Sequence, residues 1–219
     1  MRDSKVISAI AAVVTVGATV VMVVTLKGGL SPGIEAGPPE AAGWTMARQT
    51  VSLLQPGGQV LVISRNTAEF KNPATDIQLA AFKRELKKAR VNITTEQVLD
   101  VDPLRPVEVP SGDFQEWIRK SPEGSVIVSF MGPPLLTTEQ RKQLREIKPA
   151  IVVFCPGNWP ERVNLPLLFK EDLLRAAIVS RRNQRSAAAK PGNAQAWFDQ
   201  NYLIVTAANV GDLASSRAP

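Results

Sequence analysis

The chain has no histidine among its 219 residues. That absence removes every Ser-His-Asp and Cys-His catalytic arrangement, histidine-ligated haem and the commonest metal ligand. Catalysis by carboxylates, lysine or tyrosine stays open on chemical grounds. Cysteine is nearly as scarce, with Cys155 alone. One thiol makes neither an internal disulfide nor a cysteine-built zinc site. In an apolar stretch it is expected to serve as a small buried hydrophobe.

The phosphate-binding loops are missing as well. The first apolar run after the glycines, VLVISR, continues as NTAEF rather than as G-x-G-x-x-G, and no G-x-x-x-x-G-K-[ST] occurs anywhere. Gly57-Gly58 precedes that run, which is the wrong end for a nucleotide. There is no G-x-S-x-G elbow. Dinucleotide, NTP and metal cofactors are therefore not expected. The carboxylate pairs Asp100 with Asp102 and Glu171 with Asp172 lack the companions of a cation cage and read as solvated.

The formal net charge is +6. Arginines and lysines are spread over several amphipathic segments instead of forming an aromatic-interleaved stripe, so no nucleic-acid partner is expected.

Against these absences stands one long apolar run. Val6–Leu26 reads VISAIAAVVTVGATVVMVVTL, with no charge and only hydroxyls as polar groups. As a helix it spans roughly 31 Å, the hydrocarbon thickness of a bilayer. Its hydroxyls can bond back to the helix's own carbonyls. Arg2 and Lys5 precede it, and beyond Lys27 the next charges are Glu35 and Glu40. The positive-inside rule then sets the N-terminus in the cytoplasm and the rest outside. The run exceeds the ~7–15 apolar residues of a cleaved signal peptide, so an uncleaved, single-pass anchor in a bacterial inner membrane is expected. Lipid contact through Val6 to Leu26 follows. Gly17 offers a small surface for close helix packing.

Residues Gly28 to Gly43 are rich in glycine, proline and alanine, and read as a linker. A short helix is expected over Trp44 to Leu54. Beyond it, short Val/Ile-rich strands alternate with amphipathic helices. Strands are predicted at Val60–Arg65, Val91–Val101, Ser125–Met131, Ala150–Cys155, Ala176–Ser180 and Tyr202–Ala207. The intervening helices start at Pro73 after Asn72, at Ser111 as a cap, at Thr138 (through Ile147), at Leu165 (through Leu174) and at Ala194 (through Asn201). Such alternation predicts an α/β, three-layer, Rossmann-like or flavodoxin-like domain with a mainly parallel sheet. The expected organisation is anchor 1–27, linker and short helix 28–56, extracytoplasmic domain 57–210 and frayed tail 211–219.

Ligands in such sheets bind beyond the carboxyl ends of the strands. Those ends carry Ser64 to Thr67, then Ser129, Met131 and Gly132, then Cys155 to Trp159, then Ser180 to Asn183. Hydroxyls and arginines there suit a small anion or carboxylate. The proline-framed loop Cys155–Pro166 presents Trp159, a residue favoured at partner contacts. Ser180–Gln195 reads as a basic excursion suited to acidic lipid or an acidic partner. The candidate contacts are Arg65, Asn66, Asn158, Trp159, Arg181, Arg182 and Arg185.

An anchor, a linker and a chemically quiet domain lead to the expectation of a non-catalytic accessory subunit. Its partners would be integral-membrane subunits of a respiratory, photosynthetic, transport or secretion assembly. The alternation and the Ser/Arg/Asn rim also resemble, in architecture, one lobe of a periplasmic substrate-binding protein. That resemblance implies a tethered module for a small anion or carboxylate. Such proteins enclose a ligand between two lobes, and this chain has room for one. An enzyme ranks third.

Overall fold

Six apolar segments pair into one sheet in the computed structural model, which describes residues 34–102, 104, 107–144, 149–157, 159–181 and 191–213. The expected anchor, Val6–Leu26, lies outside the described residues. Among the described residues no helix is long and apolar enough to cross a membrane. The elements run α1 (Gly37–Leu53), β1 (Val60–Arg65), α2 (Pro73–Lys88), β2 (Thr95–Leu99), α3 (Ser111–Lys120), β3 (Val126–Ser129) and α4 (Thr138–Leu144). They continue as β4 (Ala150–Cys155), α5 (Trp159–Arg162), α6 (Leu165–Lys170), β5 (Ala176–Ser180), α7 (Ala194–Asn201) and β6 (Tyr202–Val205). A 3-10 turn, Val210–Asp212, follows.

The strand order is β2-β1-β3-β4-β5-β6. The first five strands are parallel and β6 is antiparallel to β5. The predicted α/β class with a mainly parallel sheet is what the chain forms. From β1 the chain crosses one way to β2 and then returns the other way to β3, so its direction of travel reverses between β1 and β3.

Both faces of the central strands are covered, which is why they are continuous Val/Ile runs instead of alternating ones. Val62, Val128, Phe130, Val152, Phe154 and Ile178 pack beneath α1, α2 and α7, against Met46, Phe82, Leu86 and Phe198. Ile63, Ile127, Met131, Val153, Cys155 and Val179 pack beneath α3, α4 and α6, against Phe114, Ile118, Leu144 and Leu168. Cys155 is fully buried there, as the sequence led us to expect.

Several local expectations are corrected. Residues 37–43 are the first turns of α1, not extended linker. Proline is tolerated in a first turn, and the small Ala41, Ala42 and Gly43 are buried against the rest of the fold. Strand β2 is shorter than expected, and its residues alternate between half-buried and exposed because it is a sheet edge. Ser111 does not cap α3: its hydroxyl accepts from the Gln140 side-chain amide at 3.0 Å, and Pro110 stands at the cap position. The helix expected from Leu165 to Leu174 stops at Lys170, and Asp172 takes a left-handed φ of 59° just beyond it. Asn164 caps this helix by accepting from the Leu167 N–H at 3.1 Å. Gly211 to Leu213 are not frayed, and Leu213 is buried in the core. Residues 214–219 lie outside the described residues.

Candidate functional site

The reversal between β1 and β3 leaves a crevice at the carboxyl edge of the sheet, where neighbouring crossovers depart to opposite faces. A cleft of about 400 Å³ opens there. Its volume falls in the ~300–1,000 Å³ range of small-molecule sites. Its floor comes from strand ends: Arg65 of β1, Phe130 and Met131 after β3, Phe154 and Pro156 at the end of β4, and Ser180 of β5. Tyr202 joins them because β6 is antiparallel, so its first residue pairs with Ser180 at the same edge. The opening turns of α2 supply Asn72, Ala74, Thr75 and Gln78, and α1 supplies Pro39.

Arg65 is the charged residue among the described lining. Its Nε is buried and has no hydrogen-bond partner among the described residues. The nearby carboxylates are engaged elsewhere. Asp76 accepts from the Thr67 hydroxyl at 2.7 Å, and Asp100 accepts from the Asn66 amide at 2.8 Å. The positive end of α2 lies in the same cleft. Asn72 caps that helix, its side-chain oxygen accepting from the Thr75 N–H at 3.2 Å.

Gln78 is only 5% exposed, and its side chain makes no hydrogen bond among the described residues. The phenol of Tyr202 has its pKa pushed up from 10.0 to about 12 by burial, so it stays a neutral donor and acceptor. Aromatic edges line one wall. Phe154 meets Tyr202 edge-on at 5.8 Å, and Phe130 meets Phe82 edge-on at 5.3 Å. The cleft thus offers one cation, a neutral amide, neutral hydroxyls and apolar rings, which can hold a small polar molecule. Among the described residues no acidic or thiol cluster is arranged to hold a metal ion.

Of the residues singled out from the sequence, Arg65 lines this cleft. Asn66 is turned to the loop after β2: its N–H donates to the Leu99 carbonyl at 2.7 Å and its side-chain oxygen accepts from the Ala68 N–H at 2.9 Å. Arg181 clasps the start of β6, donating from Nε to the Tyr202 carbonyl at 3.1 Å. Trp159 opens α5. The side chain of Trp159, and Asn158, Arg182 and Arg185 altogether, lie outside what the structure describes.

Gln78, Phe130, Phe154 and Tyr202 were not singled out from the sequence. A signal existed for three of them. Gln78, Phe82 and Leu86 are spaced four apart, so a polar group interrupts a buried helical stripe. Phe130 and Phe154 each stand two residues beyond a core valine, which puts them on that valine's face.

A second cleft, of about 220 Å³, adjoins Val163 and Leu168 of the other core. Its Arg141 is already engaged, with Glu171 at 2.8 Å and the Leu136 carbonyl at 2.9 Å. It offers a ligand less than the first.

No family model and no curated protein matches this chain. Solved structures match its fold. An arabinose-binding protein from Geobacillus stearothermophilus does so with a TM-score of 0.51 at 14% identity, over 79% of this chain and 62% of its own. A solute-binding protein from Burkholderia graminis, in complex with D-arabinose, gives 0.50 at 18% identity, over 78% and 60%. A carbohydrate-transporter solute-binding protein from Agrobacterium radiobacter, also in complex with D-arabinose, gives 0.52 at 10% identity, over 82% and 63%. The chain therefore spans under two thirds of the length of these proteins. Identities this low establish a shared fold. The expectation of an accessory subunit docked on a larger membrane complex is corrected by these findings. The first of these proteins is an arabinose-binding protein and the other two are solute-binding proteins holding D-arabinose, and the carboxyl edge of this chain's sheet forms a concave polar cleft.

Proposed function

We propose that the domain binds a small polar ligand in the strand-end cleft and performs no chemistry on it. The observation that carries this reading is the convergence of Arg65, which pairs with no carboxylate among the described residues, the buried Gln78, whose side chain makes no hydrogen bond among the described residues, and the neutral Tyr202 on one concavity at the sheet's reversal point. Sites of this kind combine apolar walls with a few placed polar groups. The sugar-binding character of the proteins that share the fold supports the same reading. On this proposal Val6–Leu26 tethers the module to the inner membrane, with the domain on the extracytoplasmic side.

The test is calorimetric titration of the full-length chain in detergent against pentoses, hexoses and sugar acids. At least one should bind with saturable heat, and Ser180→Trp, which fills the cleft, should abolish it. Binding that survives Ser180→Trp would move the site elsewhere. No binding across the panel would overturn the reading. The tether is tested by protease digestion of intact spheroplasts: the domain should be cut from outside, and protection of the domain would reverse the proposed orientation.

A further inference from the structure

We infer that the cleft selects a monocarboxylate carried on a hydroxylated body, with Arg65 gripping the carboxylate and Gln78 reading a hydroxyl. This rests on the reading that the cleft is the ligand site, and names the class of ligand.

The charge balance comes first. Arg65 is half-buried, its Nε is fully covered, and no carboxylate among the described residues pairs with it. A half-buried guanidinium without a counter-ion among the described residues is open to pairing with a ligand anion. One cation matches one negative charge. A phosphomonoester carries about −1.5 to −2 at neutral pH and would retain surplus charge in this lining.

Geometry points the same way. A guanidinium presents parallel N–H donors in a planar fork that fits a carboxylate bidentately. The positive end of α2, a 16-residue helix, faces the same space. Gln78 is the independent observation. It is 5% exposed and lines the cleft, and its amide, which carries both donors and an acceptor, makes no side-chain hydrogen bond among the described residues. A hydroxyl, itself donor and acceptor, satisfies such an amide in a way an apolar acid does not. Ser180 and Tyr202 add further hydroxyl-bearing residues to the lining. Phe130 and Phe154 leave an apolar surface for the carbon skeleton.

The probes are aldonic and uronic acids, each titrated beside its uncharged parent sugar and beside the sugar's phosphomonoester. The full-length chain in detergent is used throughout. The best acid should bind about tenfold or more tightly than its parent, the factor expected for a hydrogen-bonded charge. Arg65→Met should erase that preference, so that the acid binds no more tightly than its parent sugar to the same variant. Arg65→Lys, which keeps the charge and loses the fork, should retain only part of it, and serves if the methionine variant does not fold. Gln78→Leu should weaken hydroxylated acids more than acetate or propionate. Equal binding of acid and parent would overturn the inference and leave the cleft's ligand reading standing. Tighter binding of the phosphomonoester would overturn it in favour of a dianion. Binding of none of the probes would remove both.

Discussion

Gly43 on α1 lies against the main-chain carbonyl of Gln78 on α2, so closely that a β-carbon at position 43 would overlap that oxygen. The same added carbon would stand only 3.1 Å from the Ala81 β-carbon. Small residues on the buried face of α1, Ala41, Ala42, Gly43 and Ala47, let the helix sit this near. The contact also reaches the cleft, since the residue whose carbonyl is touched is the one whose side chain lines it.

Gly43→Ala is therefore expected to destabilise the fold. Alanine gains roughly 0.5–1 kcal/mol over glycine inside a helix, but overpacking against backbone costs about 1–3 kcal/mol. A net loss of about 1 kcal/mol in urea unfolding is expected, together with weaker ligand binding as α2 shifts. A variant as stable as the parent would mean that the two helices are not held at this contact.

Tyr202 is the chain's one tyrosine, so tyrosinate absorbance reports it without interference. In the folded protein it should titrate near 12, against an ordinary value of 10.0, because burial disfavours the phenolate. The sign for stability follows. Below pH ~10 both states hold the proton and there is no effect. Between ~10 and ~12 the unfolded chain releases it and the native one retains it, so stability falls by roughly 1.4 kcal/mol per pH unit. Tyr202→Phe should remove that part of the alkaline loss. A midpoint near 10 in the absorbance titration would show that the ring is hydrated.

Arg141 and Glu171 form an ion pair at 2.8 Å with side chains only 16% and 10% exposed. The Arg141 guanidinium also donates to the Leu136 carbonyl and to the Thr138 hydroxyl, so it fastens the loop before α4 to the end of α6. Glu171→Gln leaves the arginine's charge largely buried without its counter-charge. A loss of about 2–4 kcal/mol is expected, measured by denaturant unfolding, and little of it should vary with salt because the pair is shielded from screening ions. A change of a few tenths of a kcal/mol would mean that water replaces the carboxylate at no cost. By contrast Lys120→Ala, at an exposed pair with Glu116, should be nearly neutral.

Strands β1, β4 and β5 and helix α7 follow the boundaries predicted from their patterns, because each is a short apolar run or amphipathic stripe bounded by its own turn residues. Helix α1 did not reveal its start. Its first turns carry glycine and prolines, which locally resemble a linker, and the burial that makes them helical comes from residues far along the chain. The edge position of β2 was equally hidden, since a strand's neighbours are set by crossovers rather than by its own residues. Arg65 could be picked out as a strand-end cation. Gln78 and Tyr202 could not be joined to it, because one comes from a helix on the next crossover and the other from a strand that runs the opposite way.

The sequence by itself determined the α/β class, the apolar faces of the elements and the absence of histidine chemistry. These depend on composition and on periods of two and 3.6 residues, which are local properties of the chain. The tertiary structure alone decided that the chain reverses between β1 and β3, that Asp76 and Asp100 are engaged with Thr67 and Asn66, and that Arg65, Gln78 and Tyr202 line one cleft. Which carboxylate reaches which cation is settled by side-chain distances across the sheet, and residue spacing along a chain does not encode those.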